Sequence, residues 1–100
     1  MYRKFIEEHF GNVHLSGFEY LVRSCELYAE GSKDICTNYR IIAEEHKGTR
    51  YGRIERAIRY YVHNIYPHIL CSCLPTMNKP TNGSVIAAIV YEVNKEARHV

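Results

Sequence analysis

The apolar residues of this chain recur at helical spacing nearly from end to end, and no stretch shows sustained period-two alternation. A helix shows one face every 3.6 residues and a strand every second residue, so this pattern buries a core only if the chain is helical. Phe5, Ile6, His9 and Phe10 mark a short first helix over about 2–10, ended by Gly11-Asn12. Phe18, Leu21, Val22, Cys25, Tyr28 and Ala29 mark a second over about 17–30, with Ser16 at its cap and Gly31 at its end. A third spans about 33–46, with Ile35, Tyr39, Ile42, Ala43 and His46 inward, Ser32 as cap and Lys47-Gly48 as breaker.

The fourth helix covers about 50–66 and is striped by Ile54, Ala57, Ile58, Tyr61, Val62 and Ile65. Thr49 is placed to cap it and Pro67 to stop it. A short apolar stretch at 68–74 adds one or two turns before a loop at 75–78. The last helix begins near Thr81 or Asn82, just after Pro80, and ends near Ala97, with Val85, Ile86, Ile89, Val90 and Val93 inward. The expectation is an all-α fold: a compact bundle of about six helices, formed by residues 1–100 as one domain.

No apolar run approaches the ~18 residues of a membrane span. Glu7 and Glu8 close behind Arg3 and Lys4 argue against a signal peptide, so the expected compartment is the cytoplasm. Cysteines 25, 36, 71 and 73 make no disulfide framework, and Cys25 falls on an apolar face as a buried thiol.

Charge is where the chain stops looking generic. Lys47, Arg50, Arg53, Arg56 and Arg59 face Glu55 alone across residues 47–59, a net charge of +4. The remaining 8 basic and 10 acidic residues carry −2. A positive segment on a slightly acidic body predicts a local anion-binding surface.

The third and fourth helices, joined by a tight glycine-containing turn, have the layout of a helix-turn-helix. Arg53, Arg56 and Arg59 follow at steps of three on the polar side of the second member, with Arg50 and Tyr51 at the end that meets base edges in this motif. Arginine forks to guanine O6 and N7, glutamate accepts from cytosine N4, and arginines further along meet phosphates. The plainer alternative is a solvated face with Glu55 and Arg59 as an i, i+4 ion pair. The turn, the preceding helix and the segregated charge weigh toward DNA.

R-I-E-R-A-I-R at 53–59, K-P-T-N at 79–82 and, more loosely, G-F-E-Y-L at 17–21 occur in this order. Over roughly 11–97 the chain resembles the C-terminal DNA-binding effector domain of the stage-zero sporulation response regulators, which govern endospore formation. The resemblance implies a six-helix fold around a helix-turn-helix, binding to promoter DNA and contact with RNA polymerase. It implies base or near-base contacts for Arg53, Glu55 and Arg56, a backbone position for Arg59 and a phosphate contact for Lys79. Together with Thr49, Arg50 and Tyr51, these are the candidate DNA-binding residues. The family's receiver domain has no counterpart here, so the chain reads as an excised or standalone effector domain. The turn before the recognition helix is about one residue longer than the family's, and the segment 67–79 shorter. Both a monomer on tandem half-sites and a preformed dimer stay open.

Cys71, Cys73, His63 and His68 lie within eleven residues, but C-x-C is not the usual ligand gap and Pro67 divides the histidines. Buried thiols are expected there, with no metal and no cofactor. No G-x-S-x-G, P-loop or H-E-x-x-H motif occurs and no carboxylate pairs with a histidine at catalytic spacing, so no enzyme is expected. Tyr28, Tyr39 and Tyr61 fall inward, and His46 reads as a core histidine. Tyr60 has the chemistry to stack with nucleic acid. The competing function class is a helical protein-interaction module that has lost DNA binding and uses the apolar 69–74 segment as its partner surface.

Overall fold

A computed structural model describes residues 1–12, 14–71 and 81–98, the side chains of 66–71 and 98 excepted. Five α-helices make up the described fold: α1 (Tyr2–Phe10), α2 (Ser16–Ala29), α3 (Ile35–Glu45), α4 (Tyr51–Cys71) and α5 (Asn82–Arg98). The expected count of about six becomes five because α4 runs on through Pro67 to Cys71, absorbing the start of the expected extra turns. Proline removes one ladder bond and crowds the carbonyl four residues back, but its φ is the one a helix requires. Residues 72–80, and with them the expected loop, lie outside the described residues.

The apolar stripes converge on one core. Phe5, Ile6 and Phe10 of α1, Phe18, Leu21, Val22 and Cys25 of α2, Tyr39 and Ile42 of α3, Ile54, Ile58, Tyr61, Val62 and Ile65 of α4, and Val85, Ile86, Ile89, Val90 and Val93 of α5 are all buried in it. Each fully buried aliphatic side chain contributes about 1.5–3 kcal/mol, so the stripes account for why the helices associate. Helix α2 packs against all four others. It therefore buries more than one side: Leu27 is in the core, whereas Ala29, read as inward, is exposed in the last turn. Tyr28 is half-buried against the core.

Helices α2 and α4 approach closely at Gly17. A Cβ on Gly17 would lie 2.2 Å from the Ala57 main-chain oxygen and 2.7 Å from Tyr61 Cβ, so only glycine lets the two backbones meet there. Tyr61 is fully buried, and its hydroxyl donates to the Gly11 carbonyl at 2.6 Å, tying α4 to the end of α1.

The caps differ from the sequence reading. Ser16 is the first residue of α2, whose N-cap is Leu15 with no side-chain hydrogen bond. Asp34, not Ser32, caps α3: its carboxylate accepts from the Cys36 amide at 3.1 Å and from the Thr37 hydroxyl at 2.9 Å. Ser32 is drawn instead to buried Asn38, which donates to the Ser32 carbonyl at 2.8 Å and accepts from its hydroxyl. At α4 the Arg50 carbonyl accepts from Arg53 and Ile54, while Thr49 uses its amide on the His46 carbonyl; among the described residues the Thr49 side chain makes no capping bond. At α5 the helix starts where expected, at Asn82. The Thr81 hydroxyl accepts from the Ser84 amide at 3.2 Å, and the Ser84 hydroxyl accepts from the Thr81 amide at 2.9 Å.

Two ion-pair clusters brace the side formed by α1, α2 and α3. Arg3 forks onto Glu19 at 2.5 and 2.6 Å, and Arg23 grips Glu45 at 2.7–3.0 Å while reaching Glu26 at 3.4 Å. These partners hold the Glu19 and Glu45 carboxyls below their ordinary range. Among the described residues no helix is long and apolar enough to cross a membrane.

Candidate nucleic-acid interface

Helix α3 ends at Glu45, and His46 turns the chain out of the helix with φ −112° and ψ 83°. Gly48 follows at φ +86°, in the left-handed region that favours glycine. The Thr49 amide closes the turn on the His46 carbonyl at 3.0 Å, and α4 starts at Tyr51. His46 is exposed rather than in the core: it caps the C-terminus of α3, and its ring meets Tyr20 edge-on at 5.1 Å.

Which arginines face outward follows from the buried stripe. Ile54, Ile58, Tyr61, Val62 and Ile65 are all buried to 1 % exposure or less. At 3.6 residues per turn, Arg56 lies diametrically opposite the middle of that stripe, with Arg53 and Tyr60 beside it. Arg50, Arg53, Arg56, Arg59 and Tyr60 are all exposed, Tyr60 at 62 %. The outermost row is therefore Arg53, Arg56 and Tyr60, continued by exposed His63. Arg59 lies about 60° from Arg56 on the other side from Arg53, beside Glu55, with Nη1 3.5 Å from its carboxylate. This is the expected i, i+4 pair, and at such exposure it contributes a few tenths of a kcal/mol and opens readily.

Side chains on a helix lean toward its N-terminus. Arg56 does so: its Nε donates to the Gly52 carbonyl at 3.3 Å, which holds the guanidinium over the first turn. Among the described residues Arg50 and Arg53 make no side-chain hydrogen bond or ion pair. Lys47 is exposed in the turn and Thr49 is half-buried.

Tyr51 begins α4 partly exposed, and α3 fixes its ring. The ring packs edge-on against Tyr39 at 5.6 Å, its hydroxyl donates to Cys36 Sγ at 3.1 Å, and the Arg40 guanidinium lies 6.0 Å from its centre. The bond to Cys36 holds the Tyr51 phenol above its ordinary value. A shallow groove between α3, α4 and the start of α5 is lined by Cys36, Tyr39, Tyr51, Glu55, Arg59 and Asn82.

Seven of the eight expected contact residues thus fall on one end of one helix or in the turn before it; Lys79 lies outside the described residues. So do residues 72–74 and the side chains of His68 and 69–71, and with them the candidate metal ligands Cys71 and Cys73 and the expected partner surface at 69–74. Sequence reasoning missed Arg40, Cys36 and Asn82, which come to the same end of α4 from α3 and α5. Asn82 carried a signal in K-P-T-N, but only as a helix start.

No protein-family model, no curated protein and no solved structure matches this chain.

Proposed function

We propose that the chain is a sequence-specific duplex-DNA-binding domain of a transcription regulator, in which α3, the 46–50 turn and α4 act as a helix-turn-helix. The observation that carries this reading is the placement of Arg53 and Arg56. Both are exposed on the outer side of α4, Arg56 directly opposite the buried stripe, and both lie over its first two turns, the end a recognition helix inserts. A solvated helix face requires charge but not one sign of it, and this face is arginine with a single glutamate at its margin.

At about 1.5 Å per residue the 21 residues of α4 extend about 31 Å, far more than the ~12 Å width of the major groove. Arg53 and Arg56 enter the groove and read guanine edges. Glu55 accepts from cytosine once its pair with Arg59 opens. Arg59, Tyr60, Lys47, Arg50, Tyr51 and Thr49 lie at the margins, where phosphates and sugars run. Promoter occupancy, RNA polymerase contact and a phosphate contact at Lys79 enter the proposal on the resemblance to sporulation effector domains alone.

Selection from a random duplex library at moderate salt tests the reading. The expected result is enrichment of a short G·C-containing motif that Arg56→Ala fails to enrich, with a loss of about 1–3 kcal/mol in binding the selected site. No enrichment would remove the DNA reading and leave the protein-interaction module in its place.

A further inference from the structure

Helix α5 does not need Asn82 for its cap. Thr81 and Ser84 already satisfy each other's amides at that end. The Asn82 side chain is turned instead to two other helices. Its Nδ2 lies 3.0 Å from the Tyr39 hydroxyl oxygen on α3 and 3.2 Å from the Glu55 main-chain oxygen on α4. A carbonyl has two lone pairs, so Glu55 accepts this bond without leaving its own helix. One amide thereby joins both members of the α3–turn–α4 unit. Tyr39 is itself buried at 3 % exposure and packs edge-on against Tyr51, so contact is unbroken from the first residue of α5 to the first residue of α4.

We propose that Asn82 and Tyr39 are positioning residues that fix the pose in which α4 presents Arg53 and Arg56, and so govern discrimination between DNA sequences rather than affinity for DNA in general. This rests on the DNA reading above. A fork to a base edge needs placement within about 0.5 Å, whereas attraction to a phosphate tolerates a shifted helix. A support that joins α3, α4 and α5 beneath the inserting end controls the first and spares the second.

Three readouts on wild type, Asn82→Ala and Tyr39→Phe test the proposal: amide hydrogen exchange along α4, and the affinities for the selected and for a scrambled duplex. Tyr39→Phe keeps the ring in the core and removes only the acceptor, so the test survives an Asn82→Ala that folds poorly. The expected result is a ratio of selected to scrambled affinity lowered roughly 5- to 30-fold in each variant. Affinity for the scrambled duplex should stay within about twofold, and exchange at residues 51–56 should quicken while α1 is unchanged. If wild type discriminates and both variants discriminate equally well, or if both affinities fall together, positioning by Asn82 is wrong. If wild type itself does not discriminate, the DNA reading has failed, and exchange alone decides: quickening confined to the start of α4 sustains the positioning role, and unchanged exchange overturns it.

Discussion

At Gly17 a single methyl group separates a folded chain from a clash. A Cβ there meets the Ala57 carbonyl at 2.2 Å, and backbone cannot swing aside as a flexible side chain does. Gly17→Ala is expected to cost about 1–3 kcal/mol, a drop of several degrees in thermal midpoint; an unchanged melt would show that α2 and α4 slide apart without penalty. Ser24 gives the opposite sign. Its hydroxyl is buried with no hydrogen-bond partner among the described residues, so Ser24→Ala is expected to raise the melting temperature. At this scale the sequence was most legible where chemistry is local. The inward aliphatics and Tyr61 fall where their spacing puts them, and Arg53 and Arg56 point outward for the same reason. The Asn82–Tyr39 contact was not legible, because it joins residues 43 apart and nothing in either neighbourhood refers to the other.

Helix ends were harder to read than helices. Ser32 and Asp34 both have capping side chains, and the choice fell to Asp34 because Asn38, carried into the core by α3, engages Ser32. Asp34→Ala is accordingly expected to lower stability and to slow the return of α3 protection after unfolding, whereas a cap at Ser32 would leave both unchanged; thermal melts and hydrogen exchange decide between them. Thr49 failed as a cap for a related reason. The turn through Gly48 uses its amide, and α4 starts two residues later, at Tyr51. Pro67 shows a local rule yielding: a proline costs a ladder bond, but α4 continues to Cys71. The consequence is length: α4 spans 21 residues instead of ending before Pro67.

For the molecule as a whole, pH separates the bracing ion pairs from the core. Glu19 and Glu45 have folded pKa values held below the ordinary 4.5 by Arg3 and Arg23. Their stabilisation is present above pH 4.5 and is lost as pH falls through the lower folded values; both pairs are half-exposed, so this limb is shallow. On the alkaline side burial pushes Tyr39 from 10.0 up to about 12, and pushes Cys25 and Tyr61 up as well. Stability is full below the unfolded values, 9.0 for the thiol and 10.0 for the phenols, and falls as pH rises through the folded ones. Urea midpoints across pH should show a plateau with a gentle acid edge and a steep alkaline one; a steep acid edge would mean the ion pairs carry more of the fold than the core does. Salt addresses the surface. If four of the basic residues at 47–59 neutralise phosphates, the logarithm of affinity falls against the logarithm of salt with a slope of about −3.6, and a slope near zero would point to an apolar interface.

The most direct measurement is fluorescence anisotropy of the selected and the scrambled duplex with wild type, Arg53→Ala and Arg56→Ala at one salt concentration. The expected result is that wild type prefers the selected duplex, and that either substitution removes most of the preference while leaving weak binding to both. Equal affinity of wild type for the two duplexes, or variants that keep the preference intact, would contradict the assignment of α4 as the helix that reads DNA.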